Sequence, residues 1–153
     1  MLRNRAVAIP SEAADFADEL QRLFADISRS PGAGALSGEC SPALDVFETD
    51  ETVEITVDLP SVEANNVRVL VKGDAVLIAG EKTPRRSQGD SSFHLVERGY
   101  GRFARVVRLV GACDTGGARA RLKNGELRVT LPKITDRRGH TRPIPVAHEQ
   151  PVA

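Results

Sequence analysis

The feature that most constrains this chain is a strict alternation of apolar and polar residues in its middle third. Four apolar residues alternate with three polar ones along one run: Val53, Glu54, Ile55, Thr56, Val57, Asp58 and Leu59. Because successive side chains of a β-strand point to opposite faces, this run predicts a strand with one buried face. Further short segments predicted as strands follow at 67–71, 75–79, 103–110, 118–122 and 127–131. No helical period separates them, so residues 43–134 are predicted to form an all-β, antiparallel β-sandwich.

Turn residues between these segments support the same architecture. Asn124 and Gly125 separate the last two segments, and this dipeptide favours a tight hairpin because both residues tolerate a positive φ. Pro60 and Pro132 stand at strand ends, where a missing N–H does no harm.

Residues 1–42 are predicted to form an N-terminal arm, with a helix at about 11–28 and a linker at 29–42. Ser11 follows Pro10 and can cap the helix. Five apolar residues share one helix face and form an apolar stripe: Phe16, Leu20, Leu23, Phe24 and Ile27. The linker is rich in Gly, Ser and Pro and permits the helix to move, which favours binding of a partner by the stripe. Packing of the stripe on the chain's own core is the alternative.

A long polar segment interrupts the sandwich at residues 82–92. Its eleven residues include no Val, Leu, Ile or aromatic residue, whereas hairpin loops usually have two to about five residues. A strand-like segment follows at 93–97. An arm of this kind can reach the sheet edge of a neighbouring subunit and exchange a strand with it. A surface excursion without a partner is equally compatible with the residues.

Residues 135–153 are predicted to form a polar C-terminal extension with one apolar anchor. Pro143 and Pro145 oppose a helix there. On the extended backbone that Pro145 favours, Ile144 and Val146 project to the same side, two residues apart. Side chains at that spacing can fill neighbouring pockets along a sheet groove.

The charges balance overall but are segregated along the chain. The formal net charge is zero, so no global field favours a nucleic acid or an anionic membrane. Residues 43–66 carry seven acidic and no basic side chains, and residues 98–142 carry twelve basic and three acidic ones. This segregation suggests complementary pairing within or between subunits. Two solvated strand faces of opposite sign are the alternative.

Neither the cysteines nor the hydropathy pattern indicates a secreted or membrane protein. Cys40 and Cys113 are too few for a disulfide framework or a zinc site, and two free thiols suit a reducing compartment. The first ten residues lack the apolar core of a secretory signal, and no apolar run approaches the ~20 residues of a membrane helix. We therefore expect a cytoplasmic protein without a membrane span.

The sequence predicts no catalytic residue, no cofactor and no metal site. His94, His140 and His148 are scattered without metal-ligand spacing, and no nucleophile-elbow or phosphate-binding motif occurs. Nucleic-acid binding is also disfavoured. Aromatic residues are scarce, and the arginines between 98 and 128 alternate with apolar residues along strands, so they form no stacking platform.

Three motifs carry a resemblance to the small heat-shock proteins. The strand Gly101-x-Phe103-x-Arg105 is similar to that family's Gly-x-Phe-x-Arg strand. The segment from Ala120 to Gly125 and Leu127 matches its Ala-x-x-x-x-Gly-x-Leu signature, and Ile144-Pro145-Val146 matches its I-x-I/V anchor. The resemblance covers residues 14–146 and implies an immunoglobulin-like β-sandwich, the α-crystallin domain. The long loop at 82–98 resembles the strand-swap loop of the bacterial and plant type.

The resemblance also implies specific subunit contacts. It pairs a swap strand of one subunit, formed by Phe93, His94, Leu95, Val96 and Glu97, with the region of Leu44 and Val46 of another. It places Ile144 and Val146 in a groove of another dimer, lined by Val67, Val69, Val71, Ala120 and Leu122. Arg105 matches the family arginine that forms ion pairs near subunit contacts.

The implied function is that of an ATP-independent holdase in the stress response. Such a chaperone binds the exposed apolar surface of unfolding proteins and prevents their aggregation, here as a large homo-oligomer of strand-swapped dimers. The apolar stripe would then be a client-binding arm. The implied partners are further copies of the chain and unfolding clients. The alternative is a monomeric, co-chaperone-like binding module with the same sandwich fold.

Overall fold

The computed structural model describes residues 11–27, 40–84, 89–134 and 143–146. A 3-10 segment at Ser11–Phe16 leads into helix α1, Ala17–Ile27. Seven strands follow in these ranges: β1 Leu44–Glu48, β2 Thr52–Asp58, β3 Val67–Lys72, β4 Ala75–Lys82, β5 Gly101–Arg108, β6 Arg119–Lys123 and β7 Glu126–Pro132. Most of the predicted linker and C-terminal extension, and part of the predicted swap loop, lie outside the described residues. No helix within the described ranges is long and apolar enough to cross a membrane.

The strands form two antiparallel sheets that share one core. Sheet A has the order β1-β2-β7-β6, and sheet B has the order β3-β4-β5. Side chains from both sheets meet between them, among them Ile55, Val129 and Ile78. The predicted antiparallel β-sandwich is confirmed.

The alternation that predicted β2 corresponds to its two environments. Val53, Ile55 and Val57 are buried, and the residues between them are partly or fully exposed. β7 lies beside β2 and places Val129 opposite Ile55 and Leu127 opposite Val57. Directly opposite residues share a face, so the two strands contribute a continuous apolar layer to the core.

β4 is buried on both of its faces. Val76 and Ile78 face the core between the sheets, whereas Leu77 and Ala79 face helix α1. A glycine is required in this strand, because a Cβ at Gly80 would lie 2.2 Å from the carbonyl oxygen of Asn66 and 2.9 Å from the Phe103 ring. β4 therefore reads as an apolar run rather than as an alternating strand.

The hairpin between β6 and β7 turns on the predicted dipeptide. Asn124 and Gly125 have φ values of 53° and 76°, as a tight turn with two left-handed residues requires. The Leu59 N–H donates to the Gly125 carbonyl at 2.7 Å, and a Cβ at Gly125 would lie 3.0 Å from Pro60 Cα. Both the turn and the close approach of Pro60 therefore need glycine at this position.

Two segments differ from what the sequence pattern favoured. The regular α-helix begins only at Ala17, and its stripe packs on the chain's own sheet B, which was the alternative to binding a partner. The reason is apolar burial, since Phe16, Leu20, Leu23 and Phe24 are buried there. The side chain of Ile27 lies outside the described residues.

The strand-like segment 93–97 forms no strand within the single chain, where its residues are exposed.

Candidate binding surfaces

Helix α1 covers the outer face of sheet B. Its buried stripe contacts an apolar patch made by Ala75, Leu77 and Ala79 of β4, with Leu70, Ala104 and Val106 packed around it. We call this patch and its surroundings the helix-binding face. Burial of one large apolar side chain contributes ~1.5–3 kcal/mol, part of which is offset by the loss of conformational entropy. Helix α1 is therefore held mainly by apolar contacts.

Ion pairs fasten the N-terminal end of the helical segment to the edges of sheet B. Lys72 Nζ lies 3.7 Å from Glu19 and donates to the Asp15 carbonyl at 2.9 Å. Arg108 binds Asp15 at 3.1 Å and Asp74 at 2.9 Å. The hydrogen bonds to Asp15 and Asp74 raise the pKa of Arg108 above its ordinary value. These groups are exposed, so each pair contributes little and weakens as salt is added.

The other end of the helix lies over a buried carboxylate. The Arg102 guanidinium stacks 4.9 Å from the Phe24 ring and donates to the Phe24 carbonyl at 3.4 Å. Glu81 stands directly opposite Arg102 on the neighbouring strand and is 8% exposed. Its Oε2 atom has no hydrogen-bond partner among the described residues. An unpaired buried acceptor lowers the stability of the fold, so this end of the helix-binding face lacks one hydrogen bond that would stabilise it.

Strand β1 presents an open edge. In the described part of the chain it pairs only with β2. Leu44 and Val46 lie opposite Val57 and Ile55 and share their inner face, whereas Phe47 lies on the outer face and is exposed. Unpaired N–H and C=O groups along such an edge can accept a further strand.

Segment 93–97 exposes apolar side chains shortly before the buried residue Tyr100. Phe93, Leu95 and Val96 are exposed, Leu95 to 74%. Immediately after them, the chain returns to sheet B at Tyr100, which is only 5% exposed. An exposed apolar segment of this length is typical of a surface that binds another chain.

Polar and cation–π contacts hold Tyr100 in place, and the sequence pattern did not predict them. Arg98 donates to the Tyr100 hydroxyl at 3.1 Å and to Ser61 Oγ at 3.0 Å. Its guanidinium lies 5.4 Å from the Tyr100 ring centre, and Lys82 Nζ lies 5.9 Å from the same ring. We call this group the Tyr100 clamp. The chain's single tyrosine between two basic residues was the available signal, but the contacts of Arg98 with Ser61 and of Tyr100 with Lys82 depend on the tertiary fold.

Arg105 lies on the inner face of β5. Phe103 and Val107 on either side of it are buried, and Arg105 is half-buried between them. Its Nη1 atom donates to the Pro42 carbonyl at 2.5 Å. Within the described residues it forms no ion pair, so its predicted ion pair at a subunit contact stays a prediction. The hydrogen bond to Pro42 links the residues just before β1 to sheet B.

The residues predicted for the anchor groove lie on the free edges of the two sheets. β3 is one of the two edge strands of sheet B, and β6 is one of the two edge strands of sheet A. Val67 is buried and Ala120 is exposed, whereas Val69, Val71 and Leu122 are partly buried against the shared core. Ile144 and Val146 are 84% and 97% exposed. The structure thus leaves the anchor and all the groove residues except Val67 at least partly accessible, and it does not bring anchor and groove together within one chain.

The cysteines and acidic residues form no reactive centre in the described residues. Cys40 and Cys113 are free and half-buried against the core. Burial raises the pKa of the Cys40 thiol, and the nearby Lys82 charge partly opposes this effect. Within the four described ranges, no three His, Cys, Asp or Glu side chains are grouped as metal ligands.

Comparison with known proteins gives consistent matches. Residues 45–147 match the model of the Hsp20/alpha crystallin family. An 18.9 kDa heat shock protein of Oryza sativa is 34% identical over 134 residues, which are 87% of this chain and 76% of the rice protein.

Two solved structures share the fold. Heat shock protein 16.0 from Schizosaccharomyces pombe superposes with a TM-score of 0.61 at 31% identity, over 71% of this chain and all of that one. A small heat-shock protein from Xylella fastidiosa, described as having a distinct high order structure, has a TM-score of 0.56 at 26% identity and covers 74% of this chain and all of its own.

Proposed function

Because the chain belongs to the Hsp20/alpha crystallin family, we propose that it is an ATP-independent holdase chaperone. It binds the apolar surface of unfolding proteins and prevents their aggregation, and it works as a large homo-oligomer built from strand-swapped dimers. The observation that carries this proposal is the exposure of apolar side chains on segments 93–97 and 143–146, in a chain whose two described sheets both end in free edge strands. A monomer would leave these surfaces in water, whereas an assembly would bury them.

The dimer contact is proposed between segment 93–97 of one subunit and β1 of the other. Backbone groups along the free edge of β1 would pair with the swap strand, and Leu95 or Val96 would pack near Val46. The Tyr100 clamp supports this contact, because it fixes the point at which the arm leaves the sandwich.

The higher assembly is proposed to depend on the anchor. Ile144 and Val146 of one dimer would fill the space between β3 and β6 of another, where Val69, Val71 and Leu122 are partly exposed. Each contact is small, so a single anchor binds weakly and exchanges. Several anchors in one oligomer act together and give high avidity.

Arg105 is proposed to stabilise the assembly near the dimer contact. Its guanidinium already holds the Pro42 carbonyl just before β1, the strand that would receive the swapped segment. A partner's carboxylate near this half-buried charge would be its ion-pair partner. Removal of the arginine would leave that carboxylate unpaired, which is costly in a buried place.

Clients are proposed to bind the same apolar surfaces that hold the assembly together. An unfolding protein exposes apolar side chains and strand edges, which otherwise associate with one another. The apolar stripe of α1 could contribute only after the helix leaves sheet B, because its described side chains are buried there. The domain division proposed is an arm at 1–42, a sandwich at 43–134 and an extension at 135–153, in a cytoplasmic protein.

The experiment that tests this function is an aggregation assay without nucleotide. The purified protein is mixed with a heat-labile model enzyme, the mixture is warmed, and turbidity is followed while light scattering gives the mass of the chaperone. We expect suppression of turbidity without ATP and a mass of many subunits. A monomeric mass would favour the co-chaperone-like module, and unchanged turbidity would refute the holdase.

A further inference from the structure

The helix-binding face is a formed recognition site with a known occupant, helix α1. It combines a flat apolar centre, Ala75, Leu77 and Ala79, with basic side chains at its rim. Lys72 and Arg108 meet the acidic residues Asp15 and Glu19 at one end of the helical segment. The face therefore selects an amphipathic helix with apolar residues at steps of four, three and one and with acidic residues near its N-terminus.

The fit of α1 to this face is incomplete. Glu81 lies on the same face of β4 as Leu77 and Ala79, beneath the C-terminal part of the helix. It is more than nine-tenths buried, and its Oε2 atom lacks a hydrogen-bond partner among the described residues. An occupant with a hydrogen-bond donor at this place would satisfy the Oε2 atom, whereas the described side chains of α1 do not.

We propose that the helix-binding face is a docking site for amphipathic helical segments of unfolding clients, and that α1 occupies it as an internal competitor. This inference rests on the proposed holdase function. A client segment binds when α1 is displaced, and the apparent affinity for it is reduced by the fraction of time for which α1 is docked. The ion pairs of Lys72 and Arg108 attract client segments that begin with acidic residues.

The competition can be measured with a labelled peptide. The probe is a synthetic fluorescein-labelled peptide with the sequence of residues 11–27, and its binding to the full-length chain is followed by fluorescence anisotropy. In the variant Leu20→Ser with Phe24→Ser, the apolar contacts of α1 are lost and the face is opened. We expect this opened variant to bind the probe about tenfold or more tighter than the unaltered chain.

A matched control uses the exposed side of the same helix. Gln21→Ser with Arg22→Ser introduces the same two serines at exposed positions and should leave probe affinity as in the unaltered chain. A second variant, Asp15→Lys with Glu19→Lys, keeps the apolar stripe but repels Lys72 and Arg108. It should raise probe affinity roughly threefold to tenfold at low salt and less at high salt.

The basic rim is tested in the opened variant alone. In the unaltered chain a change to the face weakens the docking of α1 and the binding of the probe alike, so the two effects on the measured probe affinity cancel. When Lys72→Glu and Arg108→Glu are added to the opened variant, probe binding should weaken, and its affinity should no longer fall as salt is added. An affinity that still falls with added salt after both changes would contradict the assigned role of these residues.

Client protection separates the face from the helix itself. If the face binds clients, the opened variant suppresses aggregation of the heat-labile enzyme better than the unaltered chain does. If the stripe of α1 were the client-binding surface, the same variant would lose suppression, and the inference would be overturned. Equal probe affinity for the opened and unaltered chains would also overturn it. A chain that never suppresses aggregation refutes the holdase, whereas the probe measurement still decides whether the face binds a helix.

Discussion

The arginines of β5 serve different surfaces because a strand directs neighbouring residues to opposite faces. Arg102 and Arg108 lie on the outer face and contact the helical segment. Arg105 lies on the inner face with Phe103 and Val107 and reaches Pro42. The period of two along the strand accounts for the position of Arg105 among these buried neighbours. Which group each arginine binds could not be read from the period.

Glu81 carries a buried carboxylate oxygen without a hydrogen-bond partner among the described residues, and its replacement by an apolar side chain of similar length should stabilise the chain. We expect Glu81→Met to raise the free energy of unfolding by about 1–3 kcal/mol, because an unpaired buried acceptor is removed. The measurement is a urea unfolding midpoint, together with slower amide hydrogen exchange in α1. Glu63→Met, at an exposed position, is the control and should change little. Destabilisation by Glu81→Met would mean that the carboxylate has a stabilising partner.

Cys40 should respond to pH as a thiol whose pKa burial has raised from 9.0. The folded state favours the protonated thiol, so this contribution to stability is present below the unfolded pKa and is lost as the pH rises through the folded-state pKa. In a Cys113→Ser chain, iodoacetamide should alkylate Cys40 at about pH 8 more slowly in the folded than in the urea-unfolded protein. Mass spectrometry gives the two rates, and equal rates would contradict the effect of burial.

At the scale of elements, the apolar pattern of α1 and of β4 predicted the type of each element but not what covers its apolar face. The pattern of α1 correctly identified a helix with an apolar stripe, and the chain buries that stripe on β4 rather than leaving it for a partner. The apolar run of β4 was also recognised as a strand, but periodicity does not reveal what covers its outer face. A helix and a sheet that each need a cover satisfy one another only when the tertiary fold places them in contact.

The Tyr100 clamp should control the geometry of segment 93–97. Arg98→Ala removes two hydrogen bonds and the stacking on Tyr100, so the arm loses its fixed base. We expect dimers to dissociate roughly tenfold more readily, since a less ordered arm pays more entropy on pairing. Sedimentation in the background Ile144→Ala with Val146→Ala measures the dimer alone.

The control for the clamp is Arg119→Ala. The side chain of this exposed arginine on β6 forms no hydrogen bond or ion pair with another described residue, and its loss should leave the dimer intact. A dimer of unchanged stability in Arg98→Ala would show that the clamp does not position the arm.

At the scale of the whole molecule, the exposed anchor should determine the size of the assembly. Ile144→Ala with Val146→Ala removes apolar side chains that would each contribute at most ~1.5–3 kcal/mol when buried in another dimer. We expect size-exclusion chromatography with light scattering to show dimers in place of large oligomers. Val110→Ala with Ile134→Ala removes two exposed apolar side chains elsewhere and serves as the control. Large oligomers in the anchor variant would exclude this role for the anchor.

The sequence by itself determined strands β2 to β7, the Asn124-Gly125 hairpin, the apolar stripe and the family, because these depend on local spacing and on short motifs. Only the tertiary structure decided where the stripe is buried, how Arg98 and Lys82 enclose Tyr100, and that the Oε2 atom of Glu81 is buried without a partner among the described residues. These features join residues far apart in the chain, and sheet topology brings them together. Local periodicity records which face of an element is apolar, whereas the partner of that face depends on how all the elements pack.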